Sequence, residues 1–325
     1  MRLAAALLLA ASCGGERAAM HEVVVTRGAL GVRFQVAVRG ADEEQARQWA
    51  EDSFDAVEMV EGVLDRWTPG TDLSELNADT SAGWTEVAVD LAEVAAQALA
   101  FHDRTGGAFD PTVGPLLAAW GFREGLEGRV PTEQQLAEAK NRVGGLKVEA
   151  RRWPPALRRA VAGMEIDLGA LTKGVAVDRV ASILGAQGVP HLFITAGGST
   201  VYAGGDSAEG DGWPLELPNG ERWRLHDQAD STSGRMSLVV EAEGEEWSHI
   251  LDPRTGRPVA NGVAWAVFRG PSAAEADMAS TALLVMGPRE ARAWWTSQGS
   301  RMDGRGAMLI LEGGAEVKLG TCALP

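Results

Sequence analysis

The order in which strand-like and helix-like segments follow one another is the strongest constraint on this chain. Val23 to Thr26 and Val32 to Val38 read as two strands around the turn Arg27-Gly28-Ala29-Leu30-Gly31. A long helix is predicted from about Glu43 to Arg66, because Ala46, Trp49, Ala50, Val57, Val60 and Leu64 recur at helical spacing and form one apolar face. A second runs from about Asp90, as its N-cap, through Leu91, Val94, Ala98 and Phe101, and Gly106-Gly107 stops it. Thr132 to Gln135 forms a capping box for a short polar helix. A short strand, Glu165 to Leu168, turns directly into a helix through Val175, Val180 and Leu184. His191 to Thr195 is an apolar strand ending in Ala196-Gly197-Gly198, and residues 203 to 231 read as a polar surface loop or excursion. Strands near Met236 to Val240 and Val263 to Phe268 follow, then a helix from about Ala273 to Met286 and another ending at Trp294-Trp295. Ala307 to Leu311 and Ala315 to Leu319 make a final hairpin. Helices and strands interleave without regular β-α-β alternation, which predicts an α+β fold with mixed, largely antiparallel sheets rather than a doubly wound parallel sheet. No G-x-G-x-x-G follows a strand, which argues against a Rossmann dinucleotide site. With no repeat period and no Pro-rich linker, the body reads as one catalytic unit of two intimately packed halves.

Charge limits what such a fold can bind. The net charge of −15 argues against nucleic acid, which is held by basic patches. An anionic ligand would need a local cation, either a metal or a well-placed Lys. The eleven Trp are read mainly as core, although some could stack on a planar ligand.

The N-terminus reads as an export signal: Arg2, an apolar run from Leu3 to Ala11, then Ser12-Cys13-Gly14-Gly15. Leu9-Ala10-Ala11-Ser12-Cys13 resembles a bacterial lipobox, with Cys13 as the lipidated residue; the alternative is an ordinary cleavable signal with an incidental Cys. Residues 1–19 are thus expected to be signal, lipobox and tether, and residues 20–325 a single domain. The expected location is a bacterial envelope, lipid-anchored on the periplasmic side or at the cell surface. Cys322 would have no disulfide partner, and no second apolar segment is long enough to span a membrane.

Six segments carry chemistry. Thr105-Gly106-Gly107-Ala108-Phe109-Asp110-Pro111-Thr112 ends a helix and turns rigidly, which can set a carboxylate and backbone N–H groups against a ligand or simply close the helix. Glu165-Ile166-Asp167-Leu168-Gly169-Ala170-Leu171-Thr172-Lys173-Gly174 puts a Lys in the first turn of a helix, where free N–H groups and the dipole suit a phosphate. A solvent-exposed Lys is the competing reading. Thr195 to Ser199 and Ser231 to Gly234 are a Gly-pair strand end and a hydroxyl-rich turn. His249 alone among five histidines sits in a dense polar turn, Ser248 to Pro258; His21, His102, His191 and His226 are read as structural. Asp277 and Thr281 lie four apart on an apolar helix, where a carboxylate and a hydroxyl are costly unless satisfied. Both are hard oxygen donors suited to Mg²⁺, unless Thr281 merely bonds back to the i−4 carbonyl.

In this order, the segments closely resemble the ApbE family of FAD:protein FMN transferases, over roughly residues 22 to 320. The family pattern runs from Met-Gly-Thr through an aromatic and a Ser-x-x-x-x-x-Asn run to Gly-Ala-Phe-Asp-Pro-Thr. It goes on to Asp-Leu-Gly-Ala-x-x-Lys-Gly, Gly-Gly, Thr-Ser-Gly, His-x-x-Asp-Pro-x-Thr-Gly and Asp-x-x-x-Thr. The resemblance implies an ApbE-like fold and assigns Ala108, Phe109 and Asp110 to the adenosine- and flavin-contacting loop. Asp167 and Lys173 become further FAD contacts. The Ala170 carbonyl, Asp277 and Thr281 become the ligands of Mg²⁺, and His249 or Asp277 a proton-transfer group. Trp67 stands where the family usually has Tyr, which implies flavin stacking there. Arg27-Gly28-Ala29 replaces Met-Gly-Thr, and Ser199 stands where an acidic residue is common.

The activity implied is Mg²⁺-dependent transfer of FMN from FAD to a Thr or Ser hydroxyl of an exported flavoprotein, often a respiratory subunit, with release of AMP. Two rivals are an FAD pyrophosphatase giving FMN and AMP, and a non-catalytic flavin-binding lipoprotein.

Overall fold

The computed structural model describes residues 20–40, 42–122 and 128–323, so Cys13 and the signal segment lie outside the described residues. Eight strands form the central sheet: β1 (His21–Ala29), β2 (Val32–Gly40), β3 (His191–Ala196), β4 (Thr200–Gly204), β5 (Gln228–Gly234), β6 (Val263–Gly270), β7 (Gly306–Leu311) and β8 (Glu316–Gly320). Their order across the sheet is their order in the chain, and every neighbouring pair is antiparallel. The α+β reading holds. Both halves of the chain feed one sheet, because the β1–β2 hairpin precedes the long helical excursion and β2 pairs directly with β3 after it.

That excursion carries α1 (Glu43–Leu64), α2 (Asp72–Ala78), α3 (Val89–Thr105), α4 (Gly114–Ala119), α5 (Glu133–Asn141) and α6 (Gly169–Ala186), while α7 (Ala273–Gln298) joins β6 to β7. Strand alternation decides what each sheet face meets. Phe34, Val36 and Val38 of β2 join the main core with residues of α1, α6 and α7. Ala37, between them, points to the other face, where Trp213 and Leu225 cover it.

Several sequence expectations are corrected. The β1–β2 turn is only Leu30-Gly31, both at positive φ (54° and 69°), the two-residue hairpin geometry, so Arg27-Gly28-Ala29 belongs to the strand. Helix α1 stops at Leu64, with Asp65 as C-cap. Asp90 is not an N-cap: Ala88 holds that position without a side-chain bond, and Asp90 in the first turn pairs with Arg179 at 3.0 Å. Residues 203–231 are not merely a loop. They hold a hairpin, Trp213–Glu216 with Arg222–Leu225, whose buried Trp213, Leu217 and Leu225 pack on the sheet, and most of β5. The strand expected near Met236 is displaced to Val239–Ala242, paired with Glu245–Ser248. The two expected helices after Ala273 run on as α7, with a break at Gly287 (φ 68°) before Pro288.

Glu165 to Leu168 is not a strand. Asn77 takes the part of a neighbouring strand: its amide donates to Ile166 O and accepts from Ile166 N, both at 2.8 Å. Asp167 N donates to Pro111 O at 2.7 Å. These backbone groups are therefore satisfied by a side chain and a loop carbonyl, with no ladder.

Candidate active site

One cleft of ≈ 1200 Å³ is lined by every described residue that the sequence reading assigned to the site: Trp67, Ala108, Phe109, Asp110, Asp167, Ala170, Lys173, His249, Asp277 and Thr281. They come from the segment just past α1, the loop after α3, the start of α6, the turn before Leu251, and the first turns of α7.

Asp277 sits at its floor, 4% exposed. Its Oδ1 accepts from Thr200 Oγ1 and Ser231 Oγ, each at 2.6 Å, and its Oδ2 from Gly174 N at 2.7 Å. Burial pushes its carboxyl above the usual range, against the pull of Lys173 and these donors. A carboxylate has about four lone-pair sites, so three protein donors hold it rigidly and leave room for one further partner. Thr281 lies one turn on. Back-bonding does not account for it among the described residues, because the Asp277 carbonyl takes Ser280 Oγ at 3.1 Å while Thr281 Oγ1 meets Ser233 Oγ at 3.2 Å.

A regular helix would aim the Gly174 N–H at the Ala170 carbonyl. Gly174 N also donates to Asp277 Oδ2, and a carbonyl has two lone pairs, so the Ala170 oxygen keeps at least one for another partner. The approach is close because Gly174 has no side chain: a Cβ there would lie 2.3 Å from Ala273 O. Carbonyl, carboxylate and hydroxyl are all hard oxygen donors, a set that fits Mg²⁺ with water completing its shell. No group of three or more His, Cys, Asp or Glu side chains is placed to hold a metal among the described residues.

Above this floor, Lys173 Nζ donates to Ser199 Oγ at 2.6 Å. That partner is neutral, so Lys173 is a cation lining the cleft that this bond does not neutralise. His249 Nδ1 lies 2.9 Å from Leu238 O. A carbonyl only accepts, so Nδ1 carries the proton and Nε2 keeps its lone pair. Burial holds the imidazole below its ordinary pKa, and Lys173 adds to this.

The Ala108–Asp110 loop is built rather than loose. Asp110 Oδ1 accepts from Thr112 N at 2.8 Å and Thr112 Oγ1 at 2.6 Å; its Oδ2 accepts from Gly145 N at 3.1 Å and lies 3.3 Å from His102 Nδ1. Asp110 thus fixes the loop that exposes its backbone to the cleft, and His102, read as structural, does the same work. Phe109 packs edge-on against Phe101.

A model of the ApbE family matches residues 30–304. The chain belongs to the ApbE family. It is 30% identical to the FAD:protein FMN transferase of Vibrio cholerae over 297 residues, 87% of this chain and 86% of that one. The fold superposes on the flavinyl transferase ApbE of Pseudomonas stutzeri, apo form, with a TM-score of 0.81 at 25% identity, covering 93% and 95% of the two chains. The ApbE protein of Thermotoga maritima gives 0.83 at 27% identity, covering 92% and 97%.

Within this ApbE-family site the sequence reading missed four supports. Thr200 and Ser231 orient Asp277, Asn77 shapes the segment before α6, and Arg66 pairs with Asp167. Ser231 lies in a hydroxyl-rich turn that was noted, whereas Asn77 and Thr200 were not singled out, and nothing local names the partners of any of them. Arg66 carried no signal beyond standing beside Trp67.

Proposed function

We propose that this ApbE-family protein is an FAD:protein FMN transferase that moves FMN from FAD to a Thr or Ser hydroxyl of an exported acceptor flavoprotein, releasing AMP in a Mg²⁺-dependent reaction. The observation that carries the reading is Asp277, buried and held by three donors between Lys173 and Thr281 in a cleft of ≈ 1200 Å³. That volume exceeds the roughly 300–1,000 Å³ typical of sites for drug-sized ligands, as a dinucleotide requires. The names of the relatives support transfer of FMN from FAD to a protein.

In this scheme the acceptor hydroxyl oxygen bonds to the FMN-side phosphorus, the phosphorus–oxygen bond to the AMP phosphate breaks, and AMP leaves. Phosphoryl chemistry of this kind depends on positioning and charge stabilisation. Mg²⁺, held by Ala170 O, Asp277 and Thr281, would neutralise and polarise the diphosphate. Lys173 stabilises the charge gathering on the phosphate oxygens. His249 presents Nε2 as the acceptor of the hydroxyl proton, and its depressed pKa keeps it neutral near pH 7. The Ala108–Asp110 loop and Trp67 orient the rest of FAD.

The test mixes the protein with FAD and Mg²⁺, with and without an exported flavoprotein subunit, following AMP and acceptor mass. Flavin on the denatured acceptor, lost when its Thr becomes Val, supports transfer. Equal AMP and free FMN without acceptor, and no labelling, would make the protein a pyrophosphatase. The proposed address is the bacterial envelope through a lipid on Cys13; Cys13→Ala should release active protein from the membrane fraction, and retention there would reject the anchor.

A further inference from the structure

We infer that Arg66 is a positioning residue that braces the two walls of the cleft and presents the Trp67 ring and the Asp167 turn to FAD; this rests on the reading above. Arg66 is the second residue past α1, and its side chain is 7% exposed. One guanidinium nitrogen pairs with Asp167 Oδ2, and the other lies 3.4 Å from Glu165 Oε2. Cζ of the same guanidinium lies over the Trp67 ring, 4.8 Å from its centroid. The backbone that aims both residues is set by Asp65, whose Oδ1 accepts from Trp67 N at 2.8 Å and whose Oδ2 accepts from Thr68 Oγ1 at 2.6 Å.

Trp67 is 55% exposed, although it lines the cleft. A large ring in that state samples several rotamers unless something steadies it, and each lost rotamer weakens binding when the ligand has to impose the order. The Arg66 plane supplies that order before FAD arrives, by cation–π stacking. At its other end Arg66 holds Asp167, whose Oδ1 accepts from Gly169 N at 2.9 Å at the start of α6, one turn before Lys173. One side chain therefore ties the aromatic wall to the turn that carries the phosphate-facing Lys. Lysine cannot replace it, because an ammonium has neither the planar fork nor the stacking face.

The experiment compares wild type with Arg66→Lys and Arg66→Ala, in the wild-type and Trp67→Ala backgrounds. KM and kcat come from AMP release and FAD affinity from flavin fluorescence quenching. Arg66→Lys is expected to raise KM and Kd for FAD about ten-fold, the equivalent of one well-made contact, with kcat changed much less. In the Trp67→Ala background its effect should shrink, since the ring it steadies is gone. Unchanged KM and Kd in Arg66→Lys, or effects that simply add with Trp67→Ala, would overturn the inference. Arg66→Lys keeps the test open if Arg66→Ala fails to fold. A wild-type protein that binds FAD but releases no AMP would reject the proposed reaction instead, and the Kd comparison would still decide the role of Arg66.

Discussion

Asp277 Oδ2 accepts the backbone N–H of Gly174 at 2.7 Å, so the carboxylate on α7 is registered directly against the second turn of α6, next to Lys173. The two helices touch at a residue without a side chain, and the site's charge geometry depends on that contact.

Gly174→Ala should therefore damage both stability and activity. The added Cβ would meet Ala273 O at 2.3 Å and Ala274 N at 2.5 Å, both backbone atoms that cannot rotate away. Overpacking of this kind costs about 1–3 kcal/mol. Thermal unfolding should show the loss, and AMP release should fall further than stability alone explains, because Asp277 shifts with α7.

Asp277→Ala should nearly abolish turnover, a loss of about two orders of magnitude or more if metal-assisted charge stabilisation worth several kcal/mol disappears. It also strands the Gly174 N–H and the buried Thr200 and Ser231 hydroxyls, at about 1–3 kcal/mol for each left unsatisfied. Thr281→Ala, which removes a neutral ligand, should cost less and recover in part at raised Mg²⁺. Full activity of Asp277→Ala, or activity in excess EDTA, would exclude the metal site.

The acid limb of the rate–pH profile should lie below the ordinary histidine value of 6.5, because burial holds His249 low and its neutral form is the active one. Activity is then present at neutral pH and lost as pH falls through that depressed value. His249→Asn should lower kcat about a hundred-fold, as loss of a general base does, and remove this limb. An unshifted limb in the variant would assign it to another group.

The His102–Asp110 pair should make loop stability depend on pH. Asp110 raises the imidazole's pKa above 6.5, although burial opposes it; burial works against Asp110 ionising, but His102 and Thr112 outweigh it and hold that carboxyl below 3.8. The histidine contribution is present below 6.5 and lost as pH rises through its raised value. The aspartate contribution is present above 3.8 and lost as pH falls through its lowered value. His102→Gln should therefore reduce the melting temperature more at pH 5.5 than at pH 9. An equal reduction at both would show that the ionic contact contributes nothing.

Legibility followed the range of the interactions. The capping box at Thr132 and the left-handed Gly106 that closes α3 form within a few residues and were readable as such. The face of α7 that carries Asp277 and Thr281 follows from helical spacing alone. The strand expected at Glu165 failed because an apolar-alternating stretch reads the same whether its partner is a strand or Asn77, 89 residues away. The 203–231 segment failed because its glycines and charges mask the buried Trp213 and Leu225.

By itself, the sequence determined the α+β class, and it supplied the expectations of a hard-oxygen donor set, of a local cation for an anionic ligand, and of which segments would come together. Each of these depends on residue type and local spacing. Only the tertiary structure decided that the carboxylate of Asp277 would be held by Gly174, Thr200 and Ser231, at separations of 103, 77 and 46 residues. It also decided that Arg66 would reach Asp167, and that the Leu238 carbonyl would fix which nitrogen of His249 is free. Such contacts are directional and made at hydrogen-bond distance between remote residues, so they exist only once the sheet has brought its two halves together.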